Sequence, residues 1–497
     1  MAEERDSVIV VGAGMGGLSA AADLARRGAK VTLLERMAYP GGKLRQVEAR
    51  GLGVDAGPTV FTMRWIFEGL FEDCGQRLSD ALSLEPMSLL ARHAWRAGGR
   101  LDLFAEEDRS AEAIAAFAGA KEAAGYRAFC ARAREVYLTL RDSYIAAQRP
   151  SPLDLTLRVG AHRLGALWRL RPFDRLMPAL GAYFEDPRLR QLFGRYATYC
   201  GSSPYLAPAT LMLVAHVEQD GVWRVEGGIR KVAEALAALA VSQGAELRYG
   251  ASVERLLVEG GRVTGVELAG GERLIAGSVV FNGDVSALGQ GLLGEELRRA
   301  APVTPPPARS LSAVTWCLNT KTRGFPLAHH NVFFAEDYER EFAEIFQRRG
   351  ITDAPTVYLC AQDRGEGLAD PGDAPERLLL LINAPADGDS APMDEALMAE
   401  LWGRTERLLS RCGLELEGGP ESGVATGPAG FDALFPGTGG ALYGRANHGA
   451  FGSFQRLGAA SRLPGLYLAG GSVHPGPGIP MAAMSGRLAA ARIFEGA

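Results

Sequence analysis

Val8-Ile9-Val10-Val11 runs directly into Gly12-Ala13-Gly14-Met15-Gly16-Gly17, and Val31-Thr32-Leu33-Leu34-Glu35 follows. The β-branched run predicts a buried parallel strand. The glycines fill the three places of a dinucleotide-binding turn. Gly12 makes the tight turn, Gly14 admits the backbone to a pyrophosphate, and Gly17 lets the next helix pack close to the strand. A helix starting near Met15 aims unpaired N–H groups and the positive end of its dipole at the phosphates. A second strand over 31–34 puts Glu35 at its tip, where a carboxylate accepts hydrogen bonds from ribose hydroxyls and repels a 2′-phosphate. GxGxxG alone is a weak signal, but here strand, turn, helix, strand and acid stand in the required order.

Working outward, residues 76–195 are rich in Ala, Leu, Arg and Glu and predict mostly helix. Residues 225–285 return to α/β character, with a helix over about 228–239 and strands near 247–249, 253–258, 263–268 and 279–281. The last of these ends at Asn282-Gly283-Asp284. A proline cluster at 302–307 marks a boundary. Residues 311–435 mix strands such as 357–360 and 378–382 with helices near 338–348 and 394–410. Residues 465–471 predict one more strand ending in glycines, with a helix after Pro480. The nucleotide turn occurs once, which argues against a resident NAD(P)H site and for a tightly held flavin.

The 497 residues, 47% of them hydrophobic, suffice for two or more domains with substantial cores. A net charge of −5 offers no general attraction to nucleic acid. The six cysteines stand far apart with no CxxC, as suits a reducing compartment rather than a zinc ribbon or redox dithiol. The acidic start, Met-Ala-Glu-Glu-Arg-Asp, does not resemble a signal peptide. Two long stretches lack Asp, Glu, Lys and Arg, at 196–217 and 463–486, but glycines and prolines interrupt both, so neither predicts a lipid-exposed helix. The expectation is a soluble chain or one lying on a membrane surface.

Several further motifs have both a functional and a plain structural interpretation. Pro40-Gly41-Gly42-Lys43 either brings the chain near a pyrophosphate, with Lys43 neutralising charge, or is an ordinary turn. Asp55-Ala56-Gly57-Pro58-Thr59 is a stiff loop that packs on a ring system or simply turns. The crossing from Gly470-Gly471 to Met481 aims helix N–H groups at a place where a flavin's pyrimidine edge develops negative charge. His474 in that crossing either lines the flavin cavity, as a weak catalytic candidate, or makes a structural hydrogen bond. His216 and Glu218 border an apolar helix over 211–217, where a lone histidine is more often packed than catalytic. His329-His330 would point to opposite sides of a strand, and no metal site is expected. In 152–178, Leu153, Leu157, Ala161, Leu164 and Trp168 share one helical stripe, with Arg158, His162, Arg163 and Arg169 on the other faces. This is either an interfacial helix on an anionic bilayer or a core helix with a basic outer face. No Gly-x-Ser-x-Gly stands in strand-turn-helix context, and no serine or cysteine nucleophile stands out.

Taken together, these residues resemble the bacterial carotenoid and phytoene desaturases, within the larger amine-oxidase-like flavoprotein group. The resemblance covers nearly the whole chain. It is carried by Val-Gly-Ala-Gly-Met-Gly-Gly (11–17), Pro-Gly-Gly-Lys (40–43), Asp-Ala-Gly-Pro-Thr-Val (55–60), Gly-Val-Trp-Arg-Val-Glu-Gly-Gly (221–228), Asn-Gly-Asp (282–284), Leu-Ala-His-His (327–330) and His-Pro-Gly-Pro-Gly-Ile-Pro (474–480). A finer resemblance, to the 1-hydroxycarotenoid 3,4-desaturases or methoxyneurosporene dehydrogenases of purple phototrophic bacteria, is carried by 440–444, Phe454-Gln455-Arg456 and 481–487. The chain departs from the group in two places. Gly471-Ser472 stands where an acid often holds the ribityl chain, and Lys43 stands where arginine is common.

The resemblance implies an α/β fold in which a Rossmann-type FAD-binding domain (1–75, 215–310 and 436–497) is interleaved with a mixed α+β substrate domain facing the membrane (76–214 and 311–435). FAD would be held by Gly12, Gly14, Gly16, Gly17, Glu35, Gly42, Lys43, Val253, Gly471, Ile479, Pro480 and Met481. The implied reaction removes two hydrogens from adjacent carbons of an acyclic carotenoid in a dry tunnel, with flavin N5 taking hydride and electrons passing on to oxygen or a quinone. The implied location is cytoplasmic, at the surface of the inner or intracytoplasmic membrane. Two alternatives are a phytoene desaturase-type enzyme on hydroxyl-free carotenes and, from another class, a non-catalytic isoprenoid carrier. The intact glycine turn with Glu35 argues against the carrier, which needs no flavin.

Overall fold

Five parallel strands, in the spatial order Leu466–Leu468, Ser278–Phe281, Ser7–Val11, Lys30–Glu35 and Glu246–Tyr249, form the sheet that carries the glycine turn. The first strand of the chain lies at its centre, with Val10 between Leu33 and Val280, all three with no exposure. Burial on both faces explains the unbroken β-branched run. The computed structural model describes residues 7–159 and 173–495. Helix Met15–Arg26 follows the turn, and the last helix, Ile479–Glu495, and helix Lys231–Ser242 pack on it. A three-stranded antiparallel sheet, Val253–Glu259, Arg262–Leu268 and Arg273–Ile275, lies beside this unit.

A second, seven-stranded sheet runs in the order Gly423–Thr426, Ser312–Thr320, Glu376–Ala384, Val357–Ala361, His330–Phe334, Leu89–Trp95 and Arg100–Phe104. Its pairs are antiparallel except His330–Phe334 with Leu89–Trp95. Helix Glu395–Arg411 covers one face, where Trp402 meets Trp316 edge to face. On the other face Thr315, Leu381, Tyr358 and Val332 sit in register across four strands. Directly opposed residues of adjacent strands share a face, and Thr315, Leu381 and Tyr358 of this row line the cavity described below. Helices Glu107–Ala118, Ala120–Leu140 and Leu213–Asp220 build the facing layer around the clustered rings of Phe129, Phe184 and Phe193, of which the last two stack.

Helix predominates in the described part of 76–195, as expected, with one exception. Leu84–Pro86, Leu89–Trp95 and Arg100–Phe104 are strands, and the latter two form the end of the large sheet. Gly98 and Gly99, both at positive φ, turn the hairpin between them. Composition favoured helix here, but pairing with His330–Phe334, far along the chain, prevails over local propensity. The arginine-rich stretch lies mostly outside the described residues, which stop at 159 and resume at 173. Within the described part, Leu153 on helix Pro152–Val159 is 68% exposed, and the Arg158 guanidinium donates to the Gln148 carbonyl.

Candidate active site

The backbone geometry of the glycine turn admits no side chains. Gly12 takes φ +98°. A β-carbon on Gly17 would stand 2.0 Å from the Gly12 carbonyl oxygen, and one on Gly16 would stand 2.6 Å from Asn282 Oδ1 and 2.7 Å from the Gly470 amide. Asn282, at the end of the neighbouring strand, fills the space these glycines leave and donates to the Gly12 carbonyl at 3.1 Å. Gly41 bridges back to this turn, its amide donating to the Ala13 carbonyl at 2.8 Å. A β-carbon on Gly42 would press on Gly14 Cα at 3.2 Å.

Glu35 is 7% exposed, and each carboxylate oxygen accepts one backbone N–H, from Ala13 at 2.7 Å and from Met37 at 2.9 Å. These two bonds orient the group and leave lone pairs over for hydroxyls on the cavity side. Lys43 also lines the cavity, but its ammonium donates to the Leu442 carbonyl at 2.5 Å and stands over the Phe435 ring. Burial pulls its pKa down, against the pull of Asp284. One of its three donors is thus held by the Leu442 carbonyl, while the residue keeps its place in the cavity lining. The Asp55 carboxylate accepts from the Ile229 amide and the Gln46 side chain, and so holds Gly57-Pro58-Thr59 against the cavity.

At the other end, Ile479 and Pro480 begin the last helix, and Pro at this place forfeits no helical hydrogen bond. Gly471 is held by Arg456, which is 2% exposed and donates to the carbonyls of Gly471, Tyr443 and Arg445. Ser472 Oγ is taken by the Val285 amide at 3.2 Å. His474 is absent from the cavity lining. It is buried behind the loop, its Nε2 on the Ala147 carbonyl at 2.9 Å and its ring edge-on to Tyr144. Burial, the dominant cause, holds its pKa down to about 4. As a catalytic candidate His474 is therefore corrected to a structural histidine.

One cavity of about 1300 Å³ joins these parts. Gly12, Gly14, Gly16, Glu35, Gly42, Lys43, Val253, Gly471, Ile479, Pro480 and Met481 all line it, while Gly17 lies behind the turn. Single-ligand sites span roughly 300–1,000 Å³, so the space exceeds what one ligand needs. The cradle closed to side chains, the anchored Glu35 and the helix start at Ile479 fit a flavin dinucleotide.

The same cavity continues past Tyr144, Leu211, Val214 and Leu381 to a mouth at Phe173 and Phe451, whose exposed rings meet at 5.9 Å. Apolar side chains dominate its wall, and at one inner region Arg195, Glu218, Tyr199 and Tyr358 line it together. Glu218 accepts from the hydroxyls of Tyr196, at 2.8 Å, and Tyr199. Burial raises its pKa against those two hydroxyls and the Arg195 charge. Sequence analysis treated His216 and Glu218 alike, but the structure separates them. His216 packs on the Tyr137 ring, whereas Glu218, two residues on, turns into the cavity. Arg195, Tyr358 and the anchoring role of Arg456 carried no recognisable local signal, and Asn282 was marked only as part of the Asn-Gly-Asp motif.

The expectation for His329-His330 also needs correction. His329 precedes the strand His330–Phe334, so strand alternation does not separate the two, and their rings meet edge to face at 4.6 Å. With Cys360 they bring one ligand atom each within 4.8 Å of one another. Burial raises the thiol pKa and lowers both imidazoles', so all three stand as neutral groups. His329 bonds the Arg364 carbonyl and His330 the Tyr358 hydroxyl.

Comparisons with known proteins agree with this geometry. The sequence profile of the flavin containing amine oxidoreductases matches residues 15–494. The chain is 55% identical to hydroxyneurosporene desaturase of Rubrivivax gelatinosus, over 97% of this chain and 92% of that one. It is 47% identical to the protein of the same name from Cereibacter sphaeroides, over 98% and 97%. Among solved structures, an oxidoreductase from Methanosarcina mazei has the same fold at a TM-score of 0.58 and 16% identity, covering 98% of this chain and all of that one. A putrescine oxidase variant gives 0.59 at 14% identity, covering 99% of each.

Proposed function

The chain belongs to the flavin containing amine oxidoreductases, and from that premise we propose that it is a FAD-dependent desaturase introducing a C=C bond at C3–C4 of an acyclic 1-hydroxy or 1-methoxy carotenoid. Such a step belongs to spheroidene- or spirilloxanthin-type carotenoid biosynthesis. The observation that carries this reading is the continuity of the dinucleotide cradle with a long, apolar, open-mouthed limb. The names of the near-full-length relatives support the same substrate class.

When bound, the flavin would supply the acceptor for a hydride removed from one carbon of the polyene, while the neighbouring carbon would lose a proton to a base or water. The glycine turn and Gly42 hold the diphosphate, Glu35 the ribose, Val253 the adenosine side, and Gly471 with Ile479, Pro480 and Met481 the ring end. Arg456 fixes the Gly471 carbonyl, so the loop against the ring is pre-organised. Leu211, Val214 and Leu381 exclude water and align the chain for reaction. In this assignment the interrupted segments 1–75, 215–310 and 436–497 hold the cofactor, and 76–214 and 311–435 enclose the polyene. Electrons leave to oxygen or a quinone. No described helix is long and apolar enough to cross a membrane. The exposed apolar mouth supports a membrane-surface location from which a lipid-dissolved carotenoid enters.

Pigment absorption tests the proposal. The protein is expressed in cells accumulating a 1-hydroxylated acyclic carotene and in cells accumulating phytoene. A red shift with the hydroxylated carotene alone is expected. A coloured product from phytoene instead would assign the earlier desaturation. No change in either, with purified protein free of flavin, would favour an isoprenoid carrier.

A further inference from the structure

The inner end of the apolar limb holds a cation and an acid that meet through the Tyr199 hydroxyl rather than as a direct ion pair. Arg195 follows the helix Pro187–Gly194, and its guanidinium lies 5.6 Å from the Tyr199 ring centroid and 5.3 Å from that of Tyr358. Among the described residues no carboxylate comes within 4 Å of it. The Tyr358 hydroxyl is itself occupied, by Thr59 Oγ1 at 2.6 Å and His330 Nδ1 at 2.8 Å. Glu218, 8% exposed, carries two tyrosine hydroxyls and has acceptor capacity to spare. Beyond these side chains, among the described residues, lies a void of about 10 Å³, scarcely room for one water.

A charged pair of donor and acceptor in a water-poor pocket is costly unless a ligand completes its hydrogen bonds. Most of a carotenoid is hydrocarbon and offers nothing to such a pair. The exception is its end group. A hydroxyl on C1 sits two carbon–carbon bonds of about 1.5 Å each from C3, so whatever holds it must stand beside the reacting bond. It therefore belongs at the inner end of the limb, while the long tail runs to the mouth at Phe173 and Phe451. A tertiary hydroxyl both accepts and donates, as the pair requires. A methoxyl can only accept, which engages Arg195 alone.

Building on the desaturase reading, we infer that Arg195 and Glu218 form the subsite for the oxygenated end group, with Arg195 donating to its oxygen and Glu218 accepting a hydrogen bond from its hydroxyl where there is one. The pair selects 1-hydroxylated over hydroxyl-free carotenes by leaving a hydrocarbon end facing unpaired polar groups. Sites built to bond a hydroxyl reject the analogue lacking it strongly, by about 10⁴-fold or more in favourable cases.

The test uses the purified holoenzyme with a 1-hydroxylated acyclic carotene, its 1-methoxy counterpart and the matching hydroxyl-free carotene in the same vesicles. The expected wild-type preference in kcat/KM is at least about 100-fold. Arg195→Met is expected to cut it by about tenfold or more, mainly through a raised KM for the hydroxylated carotene, and Arg195→Lys to restore part of it. Glu218→Gln should relax preference for the hydroxyl more than for a methoxyl. Tyr199→Phe, which removes one hydroxyl and little volume, carries the same test in case Arg195→Met loses its flavin. Preference unchanged in these variants would overturn the subsite. So would equal losses of kcat on both carotenes, which would instead make Glu218 a proton acceptor. A wild-type enzyme converting neither carotene would overturn the desaturase reading itself, and the subsite with it.

Discussion

The carbonyl oxygen of Gly16 lies 2.0 Å from the point where a β-carbon would stand on Gly486. The helix after the nucleotide turn and the last helix of the chain thus touch backbone to backbone, 470 residues apart in sequence. This contact places Ile479–Met481, at the start of the last helix, beside the glycine turn.

Gly486→Ala should separate those helices. Forced overpacking of this kind costs about 1–3 kcal/mol. The expected outcome is a lower Tm together with reduced bound flavin per chain, read from visible absorbance. Full flavin content at unchanged Tm would show that the helices part without consequence for the site.

Glu35→Gln keeps the side chain's size and removes its charge. Hydrogen bonds to charged groups contribute about 1.5–3 kcal/mol each, so FAD affinity should fall by roughly 10- to 100-fold. Titrating the deflavinated protein with FAD by fluorescence quenching measures this. An unchanged Kd would remove Glu35 from the ribose site.

His474 sets a pH dependence. Its folded pKa of about 4 lies below the ordinary 6.5, so the neutral form is favoured in the native state. The stability it contributes is complete above 6.5 and is lost as pH falls from there toward 4. A displacement of that size amounts to about 3 kcal/mol. His474→Gln should flatten the fall in unfolding free energy between pH 7 and pH 4.5, measured by urea titration. Parallel slopes for variant and wild type would contradict the assignment.

The apolar mouth should bind bilayers. Leu153, Phe173 and Phe451 are 68%, 71% and 51% exposed. Burying such side chains contributes about 1.5–3 kcal/mol each. Phe173→Asp with Phe451→Asp should lower vesicle affinity at least about tenfold in co-sedimentation, and slow turnover of vesicle-borne carotene while sparing detergent-dispersed carotene. Replacing Arg158, Arg163 and Arg169 should weaken binding to anionic vesicles only, with the difference vanishing at high salt.

Much of the cofactor side was legible because it rests on local backbone demands. A strand buried on both faces must be apolar throughout, a tight turn against a helix must be glycine, and an acid at a strand tip needs only the right spacing. Each requirement spans a few dozen residues, and Gly12 to Glu35 satisfy them in order. His474 misled because a histidine two residues from a cavity-lining glycine has no local mark that says which way its ring turns. Residues 84–104 misled because helix-favouring composition says nothing of a strand partner more than two hundred residues away.

The sequence by itself thus determined the dinucleotide-binding βαβ unit and the resemblance to a carotenoid desaturase. These follow from periodicity, glycine placement and motif order, which act along the chain. Only the tertiary structure decided that Arg195, Glu218 and Tyr358 meet at the inner end of an apolar limb, that Asn282 fills the space beside the glycines, and that Arg456 rather than an acid secures the loop at Gly471. Those side chains come from separate segments, and their common position follows from the packing of two sheets and a helical layer around one cavity.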